Sequence, residues 1–249
     1  MISPAHASVI AHGELPFQNP LAPATVDAVL DLLALGPGDR VLDVGCGRGE
    51  LLVRIAERTG AGGIGIDTSD AQITVARAQA AARAPEADLV FEAGDAAAFA
   101  AEPASFAACA CIGATHALGG LDRTIARLAE LVQPGGCLLV GEGYWERPPS
   151  GALLQLLGAT PDELPDFPAL VAAGERARLT TAYVARTTPA EWDAYEWTYV
   201  FNLERHAQEH PEDGGALRAR ADDVRRRRLL AAAEGETLGF ALVVWRATP

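Results

Sequence analysis

The residues best able to do chemistry crowd one glycine-rich turn. Gly45, Gly47 and Gly49 follow the apolar run "RVLDV" and open a helical stretch. Asp43 lies inside that run, and Asp67 closes the next one, "GGIGID". Glycine lets a backbone turn sharply and approach a ligand with no Cβ in the way. The helix N-terminus behind the turn favours polar or anionic ligand groups. An acid twenty-two residues after Gly45 can accept hydrogen bonds from both hydroxyls of a ribose. The pattern therefore reads as a cradle for a nucleotide-like molecule. Further along, His116 follows a fourth apolar run, and Glu142 and Tyr144 end a fifth. A histidine with its ordinary pKa suits proton abstraction near neutrality. A carboxylate or phenol beside it can orient or deprotonate an acceptor.

Such residues need a sheet to hold them. "RVLDVG", "GGIGID", "LVFEAGD", "SFAACACIGA", "CLLVGE", "RLTTAYVART" and "GFALVVWRA" read as seven strands. Helical spacing fills the intervals: "TVDAVLDLLALG" ending at Gly36, "ELLVRIAERTG", "DAQITVARAQAAARA" and "LDRTIARLAELV", with "PGG" as a turn before the fifth strand. This alternation predicts βαβ units. The fold class is α/β: a Rossmann-like, doubly wound, mostly parallel seven-stranded sheet. After Tyr144 the chain turns proline-rich and reads as loops with short helices. Thr188, Pro189 and Glu191 form a capping box with proline at the first helical position. A long helix then runs to about Pro211 and a second covers 215–233, so a helical hairpin (about 189–233) is inserted before the last strand. Its aromatic stripe, Trp192, Tyr195 and Tyr199 with Leu203, is expected to pack the hairpin onto the sheet or to roof an acceptor pocket. The run Arg225 to Arg228 reads as a solvated face paired with nearby acids.

The glycine spacing separates two ligand classes. A dinucleotide fingerprint is G-x-G-x-x-G, and here Glu50 stands where its third glycine belongs; an acid facing a pyrophosphate repels it. "VLDVGCGRG" has G-x-G-x-G instead, with an acid in the strand before it. Four motifs in order, this loop, Asp67, Asp95 in "AGDAAAF" and Pro134-Gly135-Gly136, resemble the class I S-adenosylmethionine-dependent methyltransferases, in their small-molecule branch, over residues 25–145. The resemblance implies S-adenosylmethionine as cofactor and S-adenosylhomocysteine as product. It implies that Asp43 lies near the cofactor's amino group, with Gly45, Cys46 and Gly47 against its methionine part. It puts Asp67 and Thr68 at the ribose, Asp95 and Ala96 at the adenine, and Cys111, Ile112 and Gly113 by the carboxylate and sulfonium. On this reading His116, Glu142 and Tyr144 are the catalytic candidates. The segment 1–24, with His12, Phe17 and Asn19, is expected to be a lid.

The bulk composition narrows the acceptor. The formal net charge is −13, and all 20 basic residues are arginine. An acidic surface disfavours nucleic acid and anionic membranes. Without lysine there is no Schiff-base, P-loop or Tyr/Lys chemistry. Cys46, Cys109, Cys111 and Cys137 lack zinc-site spacing and read as buried small hydrophobes, so no metal is expected. No signal peptide or membrane span is read, which makes the cytoplasm the expected compartment. At 249 residues the chain is read as one domain: lid 1–24, cofactor core 25–145, substrate side 146–249. The expected reaction is methyl transfer to a small-molecule O, N, S or C nucleophile. The alternatives are an NAD-dependent oxidoreductase on a similar fold, a cofactor- or partner-binding protein without turnover, and aminopropyl transfer. The acceptor and oligomeric state are not legible.

Overall fold

The structure, a computed structural model, describes residues 2–13 and 15–248. Met1 and Glu14, both in the segment read as a lid, and Pro249 lie outside the described residues. In chain order the elements are α1 (Pro4–His12), α2 (Pro23–Leu30), β1 (Arg40–Val44), α3 (Glu50–Thr59), β2 (Gly62–Asp67), α4 (Asp70–Arg83), β3 (Leu89–Ala93) and β4 (Phe106–Ile112). There follow α5 (Leu121–Leu131), β5 (Val132–Trp145), α6 (Gly151–Leu157), α7 (Phe167–Arg176), β6 (Thr180–Arg186), α8 (Pro189–Glu209), α9 (Gly214–Ala233) and β7 (Leu238–Arg246). The strands form one seven-stranded sheet in the order β3-β2-β1-β4-β5-β7-β6. β1 pairs in parallel with β2 and β4, β2 with β3, and β4 with β5, whereas β6 and β7 are antiparallel. The expected doubly wound sheet with a helical hairpin before its last strand is therefore what the chain forms. No helix among the described residues is long and apolar enough to cross a membrane.

Contacts divide the chain into two compact units: Met1–Leu21 with Gly143–Phe167 and Thr187–Gly239, and Ala22–Glu142 with Pro168–Arg186 and Phe240–Pro249. The second unit carries the parallel strands. Its helices are short and set by local signals. α3 begins after Gly49 and stops at Gly60, both left-handed, and buries Leu51, Leu52, Val53 and Ile55. α4 starts under the Ser69 hydroxyl, which accepts the Gln72 N–H. α5 buries Thr124, Ile125, Leu128 and Leu131, a spacing that draws one stripe down the helix. On the antiparallel side, the Trp245 indole donates to the Val171 carbonyl at 3.2 Å.

Two expected boundaries shift. α2 ends at Leu30, short of Gly36, because Leu32 and Leu33 donate to Val29 and Leu30 in tight three-residue turns. The "PGG" turn lies inside the span of β5, where the register slips from Phe106↔Val132 to Ala108↔Cys137. The extra residues bulge out of the ladder, and Gly135 takes the left-handed φ of 78° within them.

In the first unit, α1 and α8 pack together and α8 pairs with α9. Their shared core includes Ala7, Ala11, Tyr199, Leu203, Leu217 and Val224. Burying a side chain such as Leu203 stabilises the bundle by about 2 kcal/mol. The capping box at Thr188 and Glu191 forms as expected. Within the stripe, Tyr199 and Leu203 pack against these helices, whereas Trp197 and Phe201 on the other face are exposed. Arg225 pairs with Asp222 and Glu204, and Arg227 with Glu196. Arg228 departs from the expected solvated face: it is only 5% exposed and bonds Asp193 at 2.7 Å and Glu236 at 2.6 Å.

Candidate active site

The strand order reverses between β1 and β4, and open α/β sheets bind ligands at the carboxyl ends flanking such a reversal. The glycine loop leaves β1 there. Gly45, Gly47 and Gly49 all have left-handed φ, between 50° and 74°. Gly45 is the tightest: a Cβ on it would fall 2.2 Å from the Ala114 Cβ, so the loop lies directly on the segment after β4. The loop is anchored by Gly45 and Cys46 N–H groups donating to the Ile66 carbonyl at 2.8 and 3.0 Å.

Three acids stand around this loop in different states. Asp67 accepts the Gly47 N–H at 2.9 Å on one oxygen and the Ser69 N–H at 2.9 Å on the other. It locks loop to strand end, and each oxygen keeps a lone pair for a ligand. Asp95 is exposed and accepts the Ala97 N–H at 2.9 Å, capping a short 3-10 turn that begins with buried Ala96. Asp43 is different. It is 3% exposed, and no side-chain hydrogen bond to it is found among the described residues. Burial, with Asp67 adding repulsion, pushes its pKa up to about 8. A buried carboxyl in this state is matched by a cationic ligand group. An amino group carrying positive charge fits it, and the bare turn at Gly45 fits an extended chain lying across the backbone. The residues present thus suit S-adenosylmethionine.

Glu50 does not face this cradle as a free acid. Its buried carboxylate accepts from Arg54 Nε and Arg83 Nη1, each at 2.6 Å. Arg54 reaches on to Asp27, and Arg83 to Glu57. Glu50 ties α3 to α2 and α4, a role the fingerprint comparison missed.

After β4, Cys111 is fully buried, Ile112 is half-buried and Gly113 is exposed, its N–H donating to the Gly141 carbonyl at 2.8 Å. Thr68 is exposed beside Asp67. Burial raises the thiols of Cys46, Cys109, Cys111 and Cys137, Cys109 to about 12, so each is a protonated, unreactive packing group at neutral pH. His116 is exposed on the 3-10 turn Thr115–Leu118. Glu142 accepts the Thr115 hydroxyl, and the Thr115 carbonyl in turn accepts from Thr124 Oγ1 at 3.1 Å. His116 thus follows directly on the residue that bonds Glu142. Sequence reasoning missed Thr115; its place beside His116 was the available signal.

Other expected residues belong to the first unit. Tyr144 is 1% exposed; its ring packs on Phe167 and its hydroxyl donates to Glu146 at 3.0 Å. The His12 ring lies 2.8 Å from the Ser8 carbonyl through Nδ1 and 3.0 Å from the Tyr195 hydroxyl through Nε2, fastening α1 to α8. Asn19 accepts the Leu21 N–H, and Phe17 is buried.

Comparison with known proteins agrees with this fold and with the cofactor. A family model described as a methyltransferase domain matches residues 41–136, from β1 through the "PGG" segment. The Escherichia coli (strain K12) protein YjhP is 31% identical over 216 residues, 86% of each chain. A solved S-adenosylmethionine-dependent methyltransferase from Thiobacillus denitrificans, in complex with S-adenosyl-L-homocysteine, superposes with a TM-score of 0.87 at 28% identity, covering 99% of both chains. The 27-O-demethylrifamycin SV methyltransferase of Amycolatopsis mediterranei (strain S699) is 31% identical over 125 residues, 50% of this chain and 46% of that one. The chain belongs to the class I S-adenosylmethionine-dependent methyltransferases. It is an enzyme of that class, and its cofactor is S-adenosylmethionine, which displaces the oxidoreductase alternative.

Proposed function

We propose that this methyltransferase acts on a small-molecule acceptor, with His116 taking the proton that the acceptor loses. The observation that carries the reading is the approach of Gly45 to Ala114, two residues before His116. It joins the cofactor loop to the segment bearing the base. When bound, the cofactor supplies a methyl group on a sulfonium, a leaving group that needs no acid. The protein's work is then positioning, water exclusion and proton removal. Asp43 would meet the amino group, and Gly45, Cys46 and Gly47 the methionine chain. Asp67 and Thr68 would hold the ribose, Asp95 and Ala96 the adenine, and Cys111, Ile112 and Gly113 the carboxylate side. Glu142, held by Thr115, would orient the acceptor. Tyr144, whose hydroxyl is given to Glu146, is left out of this assignment.

The acidic charge of −13 supports a small acceptor over nucleic acid. So does the name of one relative, which gives 27-O-demethylrifamycin SV, a small molecule, as what that enzyme methylates. Four free buried cysteines suit a reducing compartment such as the cytoplasm. The test is methyl transfer from labelled cofactor to a panel of small phenols, alcohols, amines and thiols, with His116→Ala alongside. The variant should bind S-adenosylhomocysteine as the wild type does and lose about a hundredfold in kcat. Unchanged kcat removes His116 as base, and transfer to nucleic acid alone overturns the small-molecule reading.

A further inference from the structure

The "PGG" segment was given no role at the cofactor loop, and it shapes a cavity of its own within the second unit. Residues 133–136 leave the β4–β5 ladder at the register slip and wall one side of it. A Cβ on Gly136 would fall 2.5 Å from the Ala107 carbonyl oxygen, so this wall lies hard against β4. Leu33 and Leu35, between α2 and β1, line the cavity with Ala108. Its volume is about 190 Å³, the liquid share of about six waters, which suits a small organic molecule. Asp39, just before β1, borders it, whereas the glycine loop follows the other end of that strand.

Two opposite charges line this space, Asp39 and Arg246, with no ion pair to each other or to any other described residue. Asp39 is half-buried, and its Oδ2 accepts the Gly36 N–H at 2.8 Å, which leaves Oδ1 to take a proton donor. Arg246 ends β7 and gives one Nη1–H to the Gly135 carbonyl at 3.3 Å, which turns the guanidinium toward the bulge and leaves its other donors open. Burial raises the Cys137 thiol and the Arg246 charge draws it back, so the guanidinium acts on the cavity wall. A simple anion would pair with Arg246 but face Asp39, in a chain of net charge −13. A simple cation would pair with Asp39 but face Arg246. A zwitterion meets both charges, and the apolar wall takes its carbon skeleton.

We propose that this cavity binds a small zwitterion, an α-amino acid with an apolar side chain. Its ammonium is held by Asp39, its carboxylate by Arg246, and its side chain by Leu33, Leu35 and Ala108. The occupant is neither cofactor nor methyl acceptor, and it binds while the glycine loop is filled.

The test titrates the ¹⁵N-labelled full-length chain with leucine, while excess S-adenosylhomocysteine keeps the amino acid out of the glycine loop. Two analogues each lack one charge: 4-methylpentanoate has no ammonium, and 3-methylbutylamine has no carboxylate. Leucine should shift the backbone amides of Gly135, Gly136 and Cys137 saturably, with each analogue weaker by roughly tenfold or more. Asp39→Asn, which keeps an oxygen for the Gly36 N–H, and Arg246→Gln should each weaken leucine by a similar factor. The variants carry a second signature: Asp39→Asn should not weaken 4-methylpentanoate, nor Arg246→Gln 3-methylbutylamine. The wild-type comparison of leucine with its analogues needs no variant to fold. Analogues that bind as well as leucine, shifts confined to residues outside the cavity, or no saturable shift would each overturn the site. S-adenosylhomocysteine binding is read in the same samples at Gly45 and Gly47. Its failure counts against the methyltransferase site, while the shifts at Gly135 to Cys137 still decide this one.

Discussion

Replacing Asp43 by asparagine should stabilise the free protein while crippling cofactor binding. The folded state holds the Asp43 proton with a pKa of about 8, against an ordinary value of 3.8. The native state therefore binds more protons than the unfolded chain between those values, and wild-type stability falls as pH rises through that window. Below about pH 4 the group costs nothing. By pH 8 the accumulated cost is on the order of 5 kcal/mol, from about 1.4 kcal/mol per pH unit. The asparagine side chain cannot ionise, so Asp43→Asn escapes this cost. Urea unfolding of the ligand-free proteins from pH 4.5 to 8.5 should show curves that meet in acid and diverge with pH, the variant the more stable. Binding supplies the complementary measurement. At pH 7 roughly nine-tenths of Asp43 is protonated in the free enzyme, and a cationic amino group requires the carboxylate. Calorimetry in buffers of different ionisation enthalpy should find close to one proton released per S-adenosylhomocysteine in the wild type. The variant should bind at least tenfold more weakly and release none. A stability difference that does not change with pH, or wild-type binding without proton release, would refute the reasoning.

Three further outcomes follow from the packing. Gly45→Ala drives a Cβ to 2.2 Å from Ala114 at a left-handed φ of 70°, so S-adenosylhomocysteine affinity should drop at least a hundredfold and stability by about 1–3 kcal/mol; wild-type affinity by calorimetry would contradict the cradle. Glu50→Ala strips the shared carboxylate from Arg54 and Arg83, and denaturant unfolding should show a loss of about 2–4 kcal/mol; a loss below about 0.5 kcal/mol would mean the pairs are only surface contacts. Tyr144→Phe removes one hydrogen bond to Glu146, so stability should fall by about 1 kcal/mol with kcat unchanged. A tenfold fall in kcat would return the phenol to the chemistry.

The parallel part of the sheet was legible because β1 to β4 are short, mostly apolar runs closed by glycine or an acid, and because helices between them carry their own caps. Thr188-Pro189-x-Glu191 spelled its capping box outright. The N-terminal helix was missed although Ser3 and Pro4 carry the same kind of signal; the Ser3 hydroxyl accepts the His6 N–H at 3.1 Å. The arginine run concealed its one inward member because four identical residues mark no face by type. Spacing would have found it: Leu217, Ala221, Val224, Arg228 and Ala231 are the buried stripe of α9, and Arg228 falls on it in phase. Around the glycine loop, residue types pointed to a ligand, yet the states of the three acids were hidden. Whether Asp43, Asp67 or Asp95 is buried, capped or exposed depends on strands and turns brought in from elsewhere in the chain. The Thr115–Glu142 bond joins residues 27 positions apart, and no local pattern announces it.

The most direct test of the central claim is a crystal structure of the enzyme with S-adenosylhomocysteine. The account predicts the amino group on Asp43, the homocysteine chain across Gly45 and Gly47, the ribose hydroxyls on Asp67, and the adenine beside Asp95 and Ala96. A ligand bound elsewhere, or bound in the loop with Asp43 still buried and contacting no cationic group, would contradict it.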